Sequence, residues 1–308
     1  MNEKSVLVLG GTGFYGRHIV KSLVTKKVRT KVLSRNANQA RTILGESPEI
    51  VEGDVMDLEV INKSLHDVKA VVICLSAMKS KLFRKMKAIE RNAVINILDA
   101  CQKAGIKRVV YTSGYEMRPE ILKKLKIEKF GAIKIEIEKT LKNSNFNWTI
   151  LGCAPSFELF FAFLKNNKMT VPGGGLKPIP SISAIDVGKI AAQTILRDDL
   201  SGKRFRLTGP EAMSFPIAAE HISKLTGKKI KHTKIPLAII KIVSIIVYPF
   251  NPFVDFLYQS LKLLNNFPED LTSNVPADHK ILMETFNYKP VSFNEEIRSR
   301  LLSNDKLT

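Results

Sequence analysis

The stretch "SVLVLGGTGFYGRHIVKSL" (residues 5–23) constrains the fold more than any other part of this chain. A short apolar run stops at paired glycines, and an amphipathic helical pattern begins directly after the third glycine position. Gly10, Gly13 and Gly16 follow the spacing G-x-x-G-x-x-G. The first glycines let the backbone turn sharply and approach an anionic group, while the third lets helix and strand pack closely. A helix starting there offers free N–H groups and a positive dipole end. Strand, glycine loop and helix in this order predict a dinucleotide-binding cradle made by Gly10, Thr12, Gly13, Phe14, Tyr15 and Gly16.

The same alternation continues. "RTKVLS" (29–34), "EIVEGD" (49–54), "AVVICLS" (70–76), "RVVYTS" (108–113) and "NWTILG" (147–152) read as further buried strands. Helical patterns lie between them near 14–26, 37–44, 57–66, 82–104 and 120–143. Strands separated by helices of this length form βαβ units, so the class is α/β, a Rossmann-like doubly wound parallel sheet. Ligands of such a sheet bind beyond the carboxyl ends of its strands. Past Pro155 the rhythm changes, and "SFELFFAFLKNNKMTVPGGGLKPIPS" suits an excursion from the sheet. "SAIDVGKIAAQTIL" (183–196), with Ser183 and Asp186 at capping-box spacing, reads as a returning helix, and "KRFRLTG" (203–209) as one more strand. Ser214 and Ser292 are N-cap candidates for later helices, with Glu295 completing a capping box. These signals divide the chain into a Rossmann domain, 1–155 with 181–209 returning to it, and a small, mostly helical substrate-covering region within 156–308.

The cofactor's identity is written after the second strand. An acid there would accept hydrogen bonds from the adenosine ribose and select NAD; "VLSRN" instead places Arg35, which can pair with a 2′-phosphate and favours NADP(H) over NAD. In "EGDVMD", Asp54 and Val55 fall where a side chain meets the adenine, and Asp57 is placed to cap the next helix.

Five stretches carry a family resemblance: "GGTGFYGR", "GDVMD", "NILDACQKAGIKRVVYTSG", the helix around Lys134 followed by "NFNWTIL", and "FRLTGPEAMSFPIAAEHISKLTGKKI". Together they resemble the short-chain dehydrogenase/reductase superfamily, in its atypical NmrA-like and isoflavone-reductase-like branch. The resemblance implies NAD(P)H at Gly10–Gly16, Ser76 and Ala77 lining the cofactor after the fourth strand, and a variable C-terminal region over the substrate. It also implies a Tyr-x-x-x-Lys pair, in which a cationic lysine one turn from the tyrosine lowers the phenol's pKa and holds the nicotinamide ribose.

The catalytic pattern departs from the family. "EKFGAIKIEIEKTL" (128–141) puts Phe130 where the tyrosine would stand, and phenylalanine has no proton to give. Gly114 occupies the place of the usual serine, with Thr112, Ser113 and Tyr115 nearby, and the usual Arg-Pro after the sixth strand is altered, leaving Pro155 and Ser156 to border the nicotinamide. Lys134 remains, on the apolar helical stripe of Phe130, Ile133, Ile137 and Leu141. Two roles fit it: a general acid/base whose pKa burial lowers, as the resemblance implies, or a ribose anchor in a protein that binds NADP(H) without turnover. The first makes the chain an oxidoreductase acting on a small apolar carbonyl or enone. The second makes it a redox-sensing regulator or a membrane-surface assembly factor.

Cys74, Cys101 and Cys153 are odd in number and sit in apolar runs, so they read as reduced core residues of a cytosolic protein. The start "MNEKSVLVLGG" is too charged for a secretory signal. The histidines lack metal-ligand spacing, and no metal is expected. The formal net charge of +19 favours anionic partners, yet the basic residues are dispersed without long runs, and no nucleic-acid reader is visible. Residues 235–264 are strongly apolar but interrupted by Lys241, Pro249 and Pro252. They predict helices of the substrate-covering region, with a peripheral contact to an anionic membrane surface or a partner as the alternative and a membrane span as the least favoured reading.

Overall fold

The computed structural model describes residues 4–302. Seven of its strands form one parallel sheet: β1 (Ser5–Leu9), β2 (Thr30–Ser34), β3 (Glu49–Glu52), β4 (Val68–Ile73), β5 (Arg108–Gly114), β6 (Asn147–Cys153) and β7 (Lys203–Leu207). Their spatial order is β7-β6-β5-β4-β1-β2-β3. The chain therefore winds outward from β1 in one direction as far as β3, then crosses to β4 on the other side of β1. That reversal opens the crevice in which a doubly wound sheet holds its ligands. β1 is buried along its whole length, as a central parallel strand covered on both faces must be.

The crossover helices follow the apolar periodicity. They are α1 (Gly16–Thr25), α2 (Ala37–Leu44), α3 (Leu58–Ser64), α4 (Ala93–Lys103), α5 (Glu128–Lys142) and α6 (Ala184–Ile195). Asn36 caps α2 by accepting from Gln39 N at 2.8 Å, and Asp57 caps α3 by accepting from Glu59 N at 2.9 Å. One face of the sheet packs Leu7, Val71, Ile73 and Val109 against Ile97 of α4 and Ile137 and Leu141 of α5. Each such side chain contributes about 1.5–3 kcal/mol when fully buried. α6 lies against α1, where a Cβ on Gly188 would overlap the His18 backbone.

Two helical predictions are corrected. The pattern at 82–104 is not one α-helix: a short helix at Ser80–Phe83 gives way to a π-helical turn at Lys87–Asn92 before α4. The pattern at 120–143 is broken into Pro119–Lys124 and α5. At the break Lys126 adopts φ +54°, its N–H reaches Lys123 O, and the N–H of Ile127 reaches Leu122 O, both at 2.9 Å. That is a Schellman closure in which a lysine takes the position usually given to glycine, held by the buried Leu122 and Ile127.

By Cα proximity the chain forms two compact units. The first comprises residues 4–116, 132–152 and 184–206, and holds the sheet. The second comprises 117–131, 153–183 and 207–302. Residues 117–131, which the sequence placed with the sheet, group with the second unit because Arg118 pairs with Asp270 at 2.6 Å and Phe130 stacks on Phe256 at 5.1 Å. A three-stranded sheet (Leu164–Lys165, Lys168–Pro172, Lys231–Ile235) and α7 (Phe215–Thr226), α8 (Leu237–Val247), α9 (Phe253–Asn265), α10 (Val275–Thr285) and α11 (Phe293–Leu302) build this unit. Its interior is aromatic: Phe160 meets Phe215 and Phe293 edge-on at 4.9 and 5.4 Å. The Ser292–Glu295 capping box forms at the start of α11, whereas Ser214 stands at the N-cap of α7 without a side-chain capping bond. The cysteines Cys74, Cys101 and Cys153 are free and buried.

Candidate cofactor site

Parallel pairing carries the carboxyl ends of β1 to β5 to one edge of the sheet. At the end of β1, Gly10 has φ +84°, and a Cβ there would overlap the carbonyl oxygen of Cys74 at the end of β4. A Cβ on Gly16 would overlap the carbonyl oxygen of Gly10, and the N–H of Gly13 already donates to that oxygen at 2.8 Å. The loop is thus closed so tightly that only glycine fits at its two ends. α1 follows with no acid in its first turn and no side-chain cap, leaving its positive end for an anionic ligand. Phe14 is exposed at the rim, edge-on to Tyr15 at 5.0 Å.

Arg35 follows the last residue of β2 and is exposed, with no carboxylate partner among the described residues. Gly53 N donates to Ser34 O at 2.9 Å, which brings the Asp54–Val55 turn beside it. Asp54 is engaged locally, its Oδ1 accepting from Met56 N at 3.0 Å. After β4, Ser76 is exposed and Ala77 is buried. The structure therefore brings the glycine loop, Arg35, Asp54, Val55, Ser76 and Ala77 to the same edge. Pro155 lies two residues beyond β6 and falls in the second unit, where its carbonyl accepts from Ile182 N at 3.1 Å.

Lys134 is largely buried on α5, and two residues absent from the sequence reading surround it. Glu90, in the π-helical turn, reaches it with one carboxylate oxygen at 3.3 Å and accepts from Ala77 N with the other at 2.6 Å. Tyr111 of β5 lies beneath it, the ammonium nitrogen 5.1 Å from the ring centroid. The pKa of Lys134 consequently moves against expectation. Burial pulls it down, but the Tyr111 phenol and the Glu90 carboxylate outweigh burial and hold it above the ordinary lysine value. Burial in turn pushes the Tyr111 phenol up. An ammonium held this way is a permanent cation and a weak acid, suited to orienting hydroxyl groups and stabilising negative charge.

Glu90 does carry a signal in the sequence. On a helical wheel it falls within the stripe of Ala93, Val94 and Ile97, an acid on an apolar face, just as Lys134 is a base on one. Tyr111 left none, since an aromatic residue in a buried strand reads as core. The usual serine's place, Gly114, is occupied otherwise: Arg204 of β7 donates to Gly114 O and Tyr115 O, both at 3.0 Å, and forks onto Glu138 of α5.

A family model described as NAD(P)H-binding matches residues 10–198, the segment that holds all of these groups except Arg204. The chain belongs to that NAD(P)H-binding family. The photosystem II assembly factor Ycf39 of Synechocystis sp. is 25% identical over 293 residues, covering 92% of this chain and 86% of that relative. An NAD(P)H azoreductase of Xenophilus azovorans is 23% identical over 237 residues, covering 75% of this chain and 77% of the azoreductase. An NADPH-dependent quinone oxidoreductase of Escherichia coli, solved with NADPH, shares the fold with a TM-score of 0.72 at 20% identity, over 96% of this chain and 99% of that one. The glycine cradle that any Cβ would fill fits the cofactor this family binds.

Proposed function

We propose that this chain is an NADP(H)-dependent oxidoreductase whose substrate is a small, apolar, conjugated carbonyl: an enone or a quinone. The observation that carries the reading is Arg35, an exposed guanidinium at the carboxyl end of β2 where an NAD-selecting acid would stand. Bound NADP(H) supplies the hydride chemistry. The glycine loop and the start of α1 take the pyrophosphate, Arg35 takes a 2′-phosphate, and Lys134 holds ribose hydroxyls while its charge offsets negative charge forming nearby.

The absence of a hydroxyl at Phe130 favours conjugated substrates over simple ketones. A simple ketone gives an alkoxide, which needs an acid at once; an enone or quinone gives a delocalised oxyanion that water can protonate later. The quinone and azo substrates named for two relatives are in keeping with this preference.

The test is NADPH oxidation followed optically with a quinone, an enone and a saturated ketone. Turnover of the first two and not the third is expected. Arg35→Glu should weaken NADPH binding about tenfold or more while leaving NADH binding nearly unchanged. Tight NADPH binding with no turnover on any substrate would overturn the enzymatic reading. It would leave the second, NADP(H) binding without catalysis, which the pinning of Lys134 by Glu90 and the similarity to an assembly factor favour. A redox sensor of that kind would bind NADPH and NADP⁺ with unequal affinity.

A further inference from the structure

α8 stands out in the second unit. Among the residues Leu237–Val247 only Ser244 is buried, and the helix turns the side of Ile240, Ser244 and Val247 inward. Apart from Lys241, its remaining circumference is apolar and exposed: Ile239, Ile242, Val243, Ile245 and Ile246, continued by Phe250 beyond its end. Ile245 is 63% exposed, Ile246 66% and Phe250 82%, far beyond the isolated surface leucine that needs no explanation. The stripe that a soluble helix buries is here the outer one.

Charge identifies the occupant. Between residues 228 and 266 the chain carries Lys228, Lys229, Lys231, Lys234, Lys241 and Lys262 against a single acid, Asp255. Lys241 flanks the apolar face on α8 itself and is exposed; Lys231 and Lys234 are exposed on the strand leading into it. A second copy of this chain would bring two such basic patches together, inside a protein whose net charge is already +19. An anionic surface suits both halves of the patch. No described helix is long and apolar enough to cross a membrane, and an eleven-residue helix lies along an interface rather than through it. Tyr248, half exposed where the helix ends, is the residue type that settles at headgroup depth.

We infer that α8 and the turn after it form a docking face for an anionic phospholipid bilayer, with the isoleucine face inserted at headgroup depth and the flanking lysines on the lipid phosphates. This goes beyond the proposed oxidoreductase activity and does not depend on it. The test is sedimentation of the full chain with phosphatidylcholine vesicles, with and without phosphatidylglycerol. Pelleting with the anionic vesicles only, weakened by salt, is expected, and the double variant Ile245→Asp/Ile246→Asp should lower the bound fraction about tenfold or more. NADPH binding by that variant shows that it is folded. As an independent readout, Phe250→Trp should shift its emission to the blue when anionic vesicles are added. Absence of pelleting, equal pelleting with neutral vesicles, or pelleting that survives the double variant would overturn the inference. So would a dimer that the double variant dissolves while the vesicles remain unbound.

Discussion

Lys134 and Glu90 show how two side chains that look ordinary in a list become a site when they meet. Glu90 is 3% exposed and its carboxylate is divided between Ala77 N and the Lys134 ammonium, so it fixes the loop after β4 and neutralises the lysine at once. Removing one member of a buried pair leaves the other charge uncompensated. Glu90→Gln should therefore destabilise the fold by about 3–5 kcal/mol at neutral pH, read as a lower urea midpoint. The pKa of Lys134 is raised on folding, so its contribution is complete below the ordinary lysine pKa and is lost only as pH climbs through the folded value. The penalty should accordingly stay constant from pH 6 to about 9. An unchanged midpoint would show that the pair does not carry the lysine.

Glu138 has the opposite sign. Burial pushes its carboxyl up, but the Arg204 fork at 2.9 and 3.1 Å wins and holds it below the usual glutamate range. Its stabilisation is present above the unfolded glutamate pKa and is lost as pH falls through the folded value. Glu138→Gln should cost about 1–3 kcal/mol at pH 7, and the gap from the native chain should narrow as urea titrations move below about pH 4.5. A gap independent of pH would contradict the ionic account.

At the scale of elements, strand and helix types were legible throughout the sheet because the period of apolar residues is local: five residues for β1, a heptad or more for α5. What was not local was missed. The break before α5 needs a lysine in the left-handed region, and no residue type announces that; Lys126 is held there by Leu122 and Ile127, which are buried by other parts of the chain. Left-handed backbone costs a non-glycine residue about 1–2 kcal/mol, part of which glycine forfeits in unfolded-state entropy. Lys126→Gly should therefore stabilise the protein by about 0.5–1 kcal/mol, seen as a rise in the urea midpoint. The π-helical turn that carries Glu90 was illegible because no residue type marks the inserted residue of such a turn.

At the scale of the whole molecule, the sequence alone determined the α/β class, the glycine cradle and the place of Arg35, because each depends on residues within one βα unit. The exchange of the expected tyrosine for Phe130 was equally plain, since it is a covalent fact. Tertiary structure alone decided what Lys134 is. Its neighbours Glu90 and Tyr111 are 44 and 23 positions away, and only the winding of the sheet sets the two helices and the strand side by side. The same holds for α8: an apolar run reads as core until packing shows which face is left in water. Local periodicity fixes what an element is, while its charge environment and its exposure are properties of its neighbours, and neighbours are chosen by the fold.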